Sequence, residues 1–287
     1  MQLMVMAAPS FDRIGPIPPD SPVIVSVPHA GRDYPLPLRA AAAVPVVSML
    51  ALEDRHADAI ALAARVDETM IIQRRARAWI DLNRAEDERD PLIDDGARPI
   101  PAGAAATKLR SGLGLVPRRA APGVAIWTRR LSDEEVRQRI AQDHRPYHAA
   151  LDVALAAARD RFGAALLIDL HSMPPLPGGN AARIVLGDRF GRSAGGRLVH
   201  RIEAEIAATG QAVALNAPYP GGHILSRHGR PDSGIHAIQV EIDRRLYLDS
   251  GLNALGKGLA GTAALLRRMI DAAADELLGG GLALAAE

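Results

Sequence analysis

The 287-residue sequence contains no cysteine, and this absence limits its chemistry more than any other feature of the composition. Disulfides, thiolate-bound zinc and a cysteine nucleophile are all excluded. Any metal ion must therefore be bound by histidine and carboxylate side chains. Lysine is nearly absent as well, with only Lys108 and Lys257, so arginine supplies almost all of the positive charge.

A charge excess and long apolar runs are also missing. The formal net charge is +1, whereas a dedicated nucleic-acid surface needs a clustered basic excess. No apolar run approaches the ~20 residues of a membrane span, and the N-terminus lacks the basic head and long apolar stretch of a signal peptide. We therefore expect a soluble, cytoplasmic protein that binds neither nucleic acid nor membranes. A phosphate-binding G-x-x-x-x-G-K-[ST] loop is absent too.

What the sequence does contain is a set of short aliphatic segments that end in polar residues. They are VIVSVPHAG (23–31), AWIDLNR (78–84), ALLIDLHS (165–172) and AIQVEID (237–243). Their β-branched composition is typical of buried strands. In an open α/β sheet, ligands bind outside the carboxyl ends of the strands. Two histidines, a carboxylate and an arginine at one such edge are typical of a metal-dependent hydrolase.

The remaining pattern predicts one α/β domain over residues 1–287, without repeats or a linker. Strands are predicted at 23–27, 70–73, 78–82, 124–127, 165–169, 183–187 and 235–242. Helices are predicted at 48–66, at 132–161 with a capping box at its start and a break near Pro146, at 195–208 and at 253–277. Residues 85–123, rich in proline, glycine and charge, are interpreted as a long rim loop or lid. The tail 279–287 is expected to be frayed.

The two histidines at strand ends are the first candidate metal ligands. His29 lies in a rigid turn between Pro28 and Gly31, although a loop histidine can equally cap a helix or pair with a carboxylate. His171 lies two residues after Asp169, so both face the same side of a strand. Asp169 could orient the ring of a metal-binding His171, as such histidines require. The alternative is a hydrogen-bonded core histidine.

A carboxylate ligand is predicted from Glu53, Asp54 and His56 at the start of a helix. Acidic residues also favour that position because of the helix dipole. A histidine, carboxylate, histidine set leaves one coordination position open for water. We prefer Asp54 as the ligand and retain Glu53 as the alternative.

Glu241 lies inside an otherwise apolar strand, and a buried carboxylate is costly unless it is paired or catalytic. We interpret it as a general base, with a salt bridge to Arg244 or Arg245 as the alternative. Asn83 and Arg84 end a predicted strand, and a guanidinium there matches a substrate carboxylate. A surface arginine without a role is the alternative.

The glycine-rich segment 221–231 contains further histidines and arginines. Arg227 is interpreted as a second carboxylate or oxyanion contact in the pocket. A solvated loop is the alternative.

Taken together, these motifs resemble the N-formylglutamate amidohydrolase family. The similarity is carried, in order from about residue 20 to about 250, by VPHAG, ED-x-H-x-D (53–58), IDLNR, PYH (146–148), IDLHSMP (168–174), GGHI-x-SRHG (221–229) and HAIQVEIDRRLYLD (236–249). More distantly, DLNR and DLHS resemble aspartoacylase, succinylglutamate desuccinylase and the zinc carboxypeptidases. In that wider group a glutamate ligand follows the first histidine by three residues, but here Arg32 occupies that position.

The resemblance implies a phosphorylase/hydrolase-like α/β sandwich of the zinc-exopeptidase type, in three layers with a mixed central sheet. It implies one zinc ion per chain, or another divalent metal, held by His29, Asp54 (or Glu53) and His171. Glu241 would be the general base, and Asn83 with Arg84 would anchor the substrate carboxylate.

The implied reaction is hydrolysis of N-formyl-L-glutamate to formate and L-glutamate, within histidine catabolism. The implied partner is thus a small acidic N-acyl amino acid. Hydrolysis of another N-acyl amino acid or a short peptide is the nearest alternative, and a non-catalytic module that binds acidic ligands is the second.

Overall fold

The structure is a computed structural model that describes residues 9–99 and 104–284. The strands are β1 (Phe11–Ile14), β2 (Val23–Val27), β3 (Thr69–Gln73), β4 (Arg119–Ala121), β5 (Val124–Ala125), β6 (Ala165–Met173), β7 (Ile184–Gly187), β8 (Val213–Leu215) and β9 (Ile235–Asp243). The α-helices are α1 (Leu36–Ala41), α2 (Val46–Met49), α3 (Ala57–Ala64), α4 (Ala104–Ser111), α5 (Asp133–Arg139), α6 (Arg145–Phe162), α7 (Gly196–Ala208), α8 (His223–His228) and α9 (Leu259–Leu284).

A mixed seven-stranded sheet forms the centre of the fold, in the order β1-β3-β2-β6-β9-β7-β8. Strands β3, β2, β6 and β9 run parallel, while β1 pairs antiparallel with β3 and β7 pairs antiparallel with β9. The predicted α/β fold with a mixed central sheet is confirmed. The carboxyl ends of β2, β6 and β9 meet at one edge of this sheet.

Helices cover both faces of the sheet, which gives three layers. Alternate residues of β6 divide between two apolar clusters: Leu166, Ile168 and Leu170 pack with α3, α7 and α9, whereas Ala165 and Leu167 pack with α6. Because side chains alternate along a strand, Asp169 and His171 share the α6 face with Ala165 and Leu167.

The predicted strand at 78–82 is wrong. This segment is a run of turns in which the amide of Trp79 donates to the carbonyl of Ala76 at 2.9 Å. Ala78, Ile80 and Leu82 are buried in the α6 cluster, so the segment has the aliphatic content of a buried strand without joining the sheet. The place beside β3 in the sheet is occupied by β1 instead.

Two predicted helices are interrupted. The 48–66 segment consists of α2, a 3-10 turn at Leu50–Leu52 and α3, separated by extended backbone at Glu53 and a left-handed His56 with a φ of 60°. The 132–161 segment begins with the predicted capping box, in which the amide of Glu135 donates to Ser132 Oγ. Its break is a π-helical turn at Ile140–His144, which ends two residues before Pro146.

The remaining predictions concern the rim segment and the tail. Within 85–123, the described residues include α4 and β4, and Leu115 and Val116 are buried in the α6 cluster. Helix α9 extends as far as Leu284, and 285–287 lie outside the described residues, so fraying of the tail stays a prediction. Within the described part of the chain, no helix is both long and apolar enough to cross a membrane.

Candidate active site

The pairing of β6 with β9 sets the spatial order of the polar residues. Asp169 lies opposite Gln239, and His171 lies opposite Glu241. Because the two strands are parallel and in register, all four residues share one face near the carboxyl ends of their strands. The sequence predicts Asp169, His171 and Glu241 near strand ends, but only the register brings the histidine and the glutamate side by side.

His29 is held by a close approach of backbone segments just after β2. Its carbonyl accepts a hydrogen bond from the amide of Asp54 at 3.0 Å, which joins the VPHAG and ED motifs. Gly31 packs so tightly that a Cβ there would lie 2.1 Å from the carbonyl oxygen of Arg75. A side chain at residue 31 would therefore displace the turn that carries His29.

Asp54 lies between the two histidines. Its Oδ2 is 2.9 Å from Nδ1 of His171 and 3.4 Å from Nδ1 of His29. The opposite ring nitrogens meet two further carboxylates: Nε2 of His29 is 2.8 Å from Asp81 Oδ1, and Nε2 of His171 is 2.9 Å from Asp169 Oδ2. All five side chains are buried. Both rings thus present Nδ1 to the same point.

This donor set fits a zinc ion. The ligand atoms of His29, Asp54 and His171 lie within 4.8 Å of one another. Nδ1 of His29 is buried and has no hydrogen-bond partner among residues 9–99 and 104–284. Carboxylates behind the outer nitrogens, here Asp81 and Asp169, are the arrangement that orients metal-binding histidines. Two histidines and one carboxylate also leave a coordination position open.

The electrostatics favour a cation at the same point. Burial opposes ionisation of Asp54, but His171 and His29 outweigh it and hold the pKa of Asp54 well below its ordinary value. Burial also opposes the charged form of His171, but Asp169 and Asp54 raise the pKa of His171 well above its ordinary value. Without metal, the positive charge that these carboxylates attract is therefore a proton on His171.

Asp54 and its sequence neighbour Glu53 have different contacts, and only Asp54 faces the two histidines. Oε1 of Glu53 accepts a hydrogen bond from the hydroxyl of Tyr34, and its Oε2 is 2.8 Å from Nη1 of Arg55. Both carboxylate oxygens are therefore already paired outside the histidine cluster. The geometry favours Asp54 as the carboxylate ligand, and His56 is not part of the cluster.

Glu241 is 8% exposed and faces the cluster from β9. Burial raises the pKa of Glu241 to about 7, with His171 opposing this rise and Asp54 reinforcing it. Nε2 of Gln239 donates to its Oε1 at 3.0 Å, which fixes the carboxylate. A carboxyl group with this pKa can both accept and release a proton near neutral pH.

The alternative role of Glu241, a salt bridge to one of the following arginines, is not found among the described residues. Arg245 pairs with Asp243, with Nη2 and Oδ2 2.7 Å apart. Arg244 folds back towards the active site, where Nη2 donates to the carbonyl of Glu53 at 2.6 Å. It also lies 3.4 Å from Asp54 Oδ1.

Asn83 and Arg84 are both buried at the wall of the site. Oδ1 of Asn83 accepts from the amide of Ile224 at 2.9 Å. This contact requires Gly222, where a Cβ would lie 2.4 Å from that oxygen. The guanidinium of Arg84 donates from Nε to the carbonyl of Leu113 at 2.8 Å, so the rim segment is bound to the IDLNR motif.

Arg227 is not brought together with the other candidate residues. It lies on α8, is exposed, and its Nη2 is 3.1 Å from Oδ2 of Asp152. It is not among the residues that line the cavity over the site. The structure therefore does not support the interpretation of Arg227 as a substrate contact, because α8 directs this side chain towards α6.

A cavity of about 720 Å³ opens over the cluster. The basic residues that line it include several that sequence reasoning missed: Arg77, Lys108, Arg119 and Arg244. Arg77 also donates from Nε to Asp81 Oδ2 at 2.9 Å. Asp81 was missed as well, although it precedes Asn83 by two residues, just as Asp169 precedes His171. That repeated spacing was the signal that would have revealed it.

The sequence model of the family described as N-formylglutamate amidohydrolase matches residues 21–248. The chain belongs to this family. Among its relatives, the N-formylglutamate deformylase of Pseudomonas putida is 32% identical over 236 residues, covering 79% of this chain and 82% of the relative. That of Pseudomonas aeruginosa is 30% identical over 234 residues, with the same coverage of 79% and 82%.

Solved structures agree with this assignment to the N-formylglutamate amidohydrolase family. The crystal structure of N-formylglutamate amidohydrolase from Ralstonia eutropha JMP134 superposes with a TM-score of 0.85 at 33% identity, covering 95% of this chain and all of the other. The resemblance inferred from the motifs is confirmed, and the chain is an amidohydrolase. The matched region contains the whole cluster and Glu241, while α9 lies outside it.

Proposed function

We propose that this chain catalyses the zinc-dependent hydrolysis of N-formyl-L-glutamate to formate and L-glutamate. The observation that carries the proposal is the His29–Asp54–His171 cluster, which lies beside Glu241 in a cavity lined by arginines. The names of the relatives from the two Pseudomonas species and from Ralstonia supply the substrate.

His29, Asp54 and His171 would hold the zinc ion, with Asp81 and Asp169 fixing the histidine rings. When bound there, zinc would polarise the amide carbonyl and lower the pKa of a water molecule. Within this arrangement, Asp81 and Asp169 keep the proton of each ring on Nε2, so both Nδ1 lone pairs face the metal position.

Glu241 would move the proton. Its carboxylate would accept a proton from the attacking water and then donate it to the nitrogen of the leaving glutamate. Both steps need a group whose pKa lies near the working pH, and burial places that of Glu241 at about 7. Gln239 holds one oxygen of the carboxylate, which leaves the other for the water.

Arg84 and Asn83 would bind one carboxylate of the substrate at the cavity wall. The guanidinium of Arg84 is already fixed by two backbone carbonyls, so little side-chain freedom is lost on binding. The second carboxylate contact is reassigned from Arg227 to the basic residues of the rim wall, Lys108 and Arg119.

The size of the cavity favours a second candidate, hydrolysis of a larger N-acyl amino acid or short peptide. A volume of about 720 Å³ falls in the range that encloses a drug-sized ligand and exceeds what a formyl group needs. A panel of N-formyl, N-acetyl and N-succinyl amino acids separates the two. The highest kcat/KM for N-formyl-L-glutamate supports the proposal, whereas a preference for N-succinyl substrates would replace it with the second candidate.

Formate release from N-formyl-L-glutamate tests the metal and the reaction together. It is measured on the protein as purified, after chelation and after zinc is restored. We expect activity to vanish on chelation and to return with zinc. Retention of full activity in metal-free protein would refute zinc dependence. Tight binding of an acidic ligand without turnover, whatever the metal content, would indicate a non-catalytic binding module.

The carboxylate ligand is tested with two matched substitutions of adjacent residues. We expect Asp54→Asn to lose the zinc bound at this site, because its Oδ2 faces both histidines. Glu53→Gln should retain it, since Glu53 is paired with Tyr34 and Arg55. Zinc content after dialysis is the readout, and the reverse pattern would make Glu53 the ligand.

A further inference from the structure

A second group of histidines, which the proposed reaction does not use, lies where α6 meets α8. The ring centroids of His144 and His148 are 4.4 Å apart, and that of His223 lies 5.7 Å from the first and 5.2 Å from the second. His144 and His148 are four residues apart on a continuous helical run, a spacing that places two side chains on one face. None of the three belongs to the His29–Asp54–His171 cluster.

Hydrogen bonds fix the tautomers of the two helical histidines. Nε2 of His144 is 2.8 Å from the carbonyl oxygen of Arg84, and Nε2 of His148 is 3.0 Å from that of Leu82. A carbonyl can only accept, so Nε2 carries the proton in both rings and Nδ1 presents a lone pair. A backbone carbonyl behind the outer nitrogen is what orients a metal-binding histidine.

Two of the ring nitrogens are buried with no partner. Nδ1 of His144 and Nε2 of His223 form no hydrogen bond within the described ranges. His144 itself is 1% exposed. Buried polar atoms are normally hydrogen-bonded, and such an exception calls for a partner such as a water molecule or an ion. Two such exceptions in adjacent rings point to a shared ligand.

We propose that His144, His148 and His223 form a second metal site, which binds a transition-metal dication such as zinc. Their ligand atoms lie within 4.8 Å of one another, and small side-chain rotations would bring them to the separation of about 3.3 Å that a tetrahedral zinc site requires. Imidazole nitrogens suit zinc, copper and nickel rather than magnesium or calcium.

The charges around the group are compatible with a cation. Burial lowers the pKa of His144, that of His148 and that of His223, the last to about 4. All three rings are therefore neutral at pH 7, as metal binding requires. Oε1 of Glu86 lies 3.9 Å from Nδ1 of His144 and places a negative charge beside the group. Both oxygens of Glu86 are paired with Arg145, so the fourth coordination position is left to water.

Metal binding has one structural cost. Nδ1 of His148 is 2.9 Å from Nε2 of His228, and Nδ1 of His228 is 3.0 Å from Asp152 Oδ1. The metal must replace the hydrogen bond from His228, which keeps its contact with Asp152. Since Leu82 and Arg84 flank Asn83, a bound ion would stabilise the segment that carries Asn83 into the active site.

Zinc stoichiometry tests the proposal. Untagged protein is freed of metal and dialysed to equilibrium against micromolar zinc, and bound zinc is measured by mass spectrometry. We expect His223→Ala to bind about one zinc fewer per chain than the unmodified protein. His200→Ala, which removes an exposed histidine on α7, should bind the same amount. Equal stoichiometry in His223→Ala and the unmodified protein would overturn the proposal.

A background lacking the first site separates this proposal from the proposed function. In Asp54→Asn protein, zinc should still raise Tm, and Co2+ should still produce visible d–d absorption. Both effects should disappear when His223→Ala is added. Absence of both effects in the Asp54→Asn protein would also refute the second site. Should His223→Ala fail to fold, as judged by its metal-free Tm, His223→Gln replaces it, because it keeps volume and polarity.

Discussion

Glu241→Gln is expected to abolish turnover and, at the same time, to stabilise the metal-free protein above neutral pH. The activity loss follows from the proton transfers assigned to this carboxylate, which typically contribute about 10²–10⁴-fold. The gain in stability follows from its environment. Glu241 is 8% exposed and forms no salt bridge among the described residues. Gln can still accept the hydrogen bond from Gln239.

The size of the expected gain in stability follows from the pKa of Glu241. Burial raises it from the ordinary value of 4.5 to about 7, so the folded state holds this proton more tightly than the unfolded state. The folding free energy that the carboxyl group contributes is therefore intact below pH 4.5 and is lost as the pH rises through 7. At about 1.4 kcal/mol per pKa unit, the full loss is roughly 3 kcal/mol. Glutamine does not titrate and avoids it.

The assay is urea unfolding of metal-free protein at pH 4.5 and at pH 8, with formate release from zinc-loaded protein measured in parallel. The stability difference between Glu241→Gln and the unmodified protein should grow by roughly 3 kcal/mol between the two pH values. A difference that is unchanged or shrinks with pH would refute the argument from burial. Normal turnover would remove Glu241 from the mechanism.

Glu68→Gln is the matched control. Glu68 is buried as well, but its Oε1 is 2.7 Å from Nη1 of Arg267. Burial opposes its ionisation, but hydrogen bonds from the amide of Val66 and from Arg267 outweigh burial and lower the pKa of Glu68. The same substitution should therefore destabilise the protein at pH 8, because it removes the charge of a buried carboxylate that is paired with Arg267, which retains only its contacts with Asp271 and Ala64. Turnover of the folded fraction should not change.

Three further outcomes are expected. Arg84→Ala should raise KM for N-formyl-L-glutamate at least ~10-fold, because a charged hydrogen bond contributes about 1.5–3 kcal/mol. Arg227→Ala should leave KM within about twofold, because Arg227 lies outside the cavity. Equal effects of the two substitutions on KM would contradict the reassignment of the second carboxylate contact. Gly31→Ala should lower both the Tm and the zinc content of the protein, because the added Cβ would lie 2.1 Å from the carbonyl oxygen of Arg75. An unchanged Tm in differential scanning fluorimetry would contradict this steric argument. Leu151 is fully buried beneath the sheet, so Leu151→Ala should lower the free energy of unfolding in urea by about 2–5 kcal/mol while turnover is unchanged. A loss below ~1 kcal/mol would show that the α6 layer is loosely packed.

The motifs predict which residues meet at the cavity better than they predict the secondary structure of the segments that carry those residues. His29, His171 and Glu241 were placed at strand ends, and three of the four expected segments are indeed strands or directly follow one. The segment 78–82 is not a strand because the signal that predicts one, a short aliphatic run, arises equally in a buried run of turns. Asn83 nonetheless reaches the site, held by the amide of Ile224.

Arg227 shows the limit of reasoning from a motif. Its neighbours in GGHI-x-SRHG do contact the site, since Gly222 makes room for Asn83. A short helix rotates successive side chains by about 100° each, so residues of one motif face different directions. Which of them faces the cavity is decided by how α8 packs, and the packing directs Arg227 towards Asp152.

The sequence by itself determined the α/β class, the dependence of any metal on histidine and carboxylate, the family and most of the polar side chains that meet at the cavity. Composition and local spacing carry that information because they depend on neighbours along the chain. The tertiary structure decided the rest: the position of Asp54 between the two histidines, the carboxylates Asp81 and Asp169 behind the rings, and the pairing of His171 with Glu241. These choices depend on sheet register and loop packing between residues distant in sequence, where burial and charge become defined only once the chain has folded.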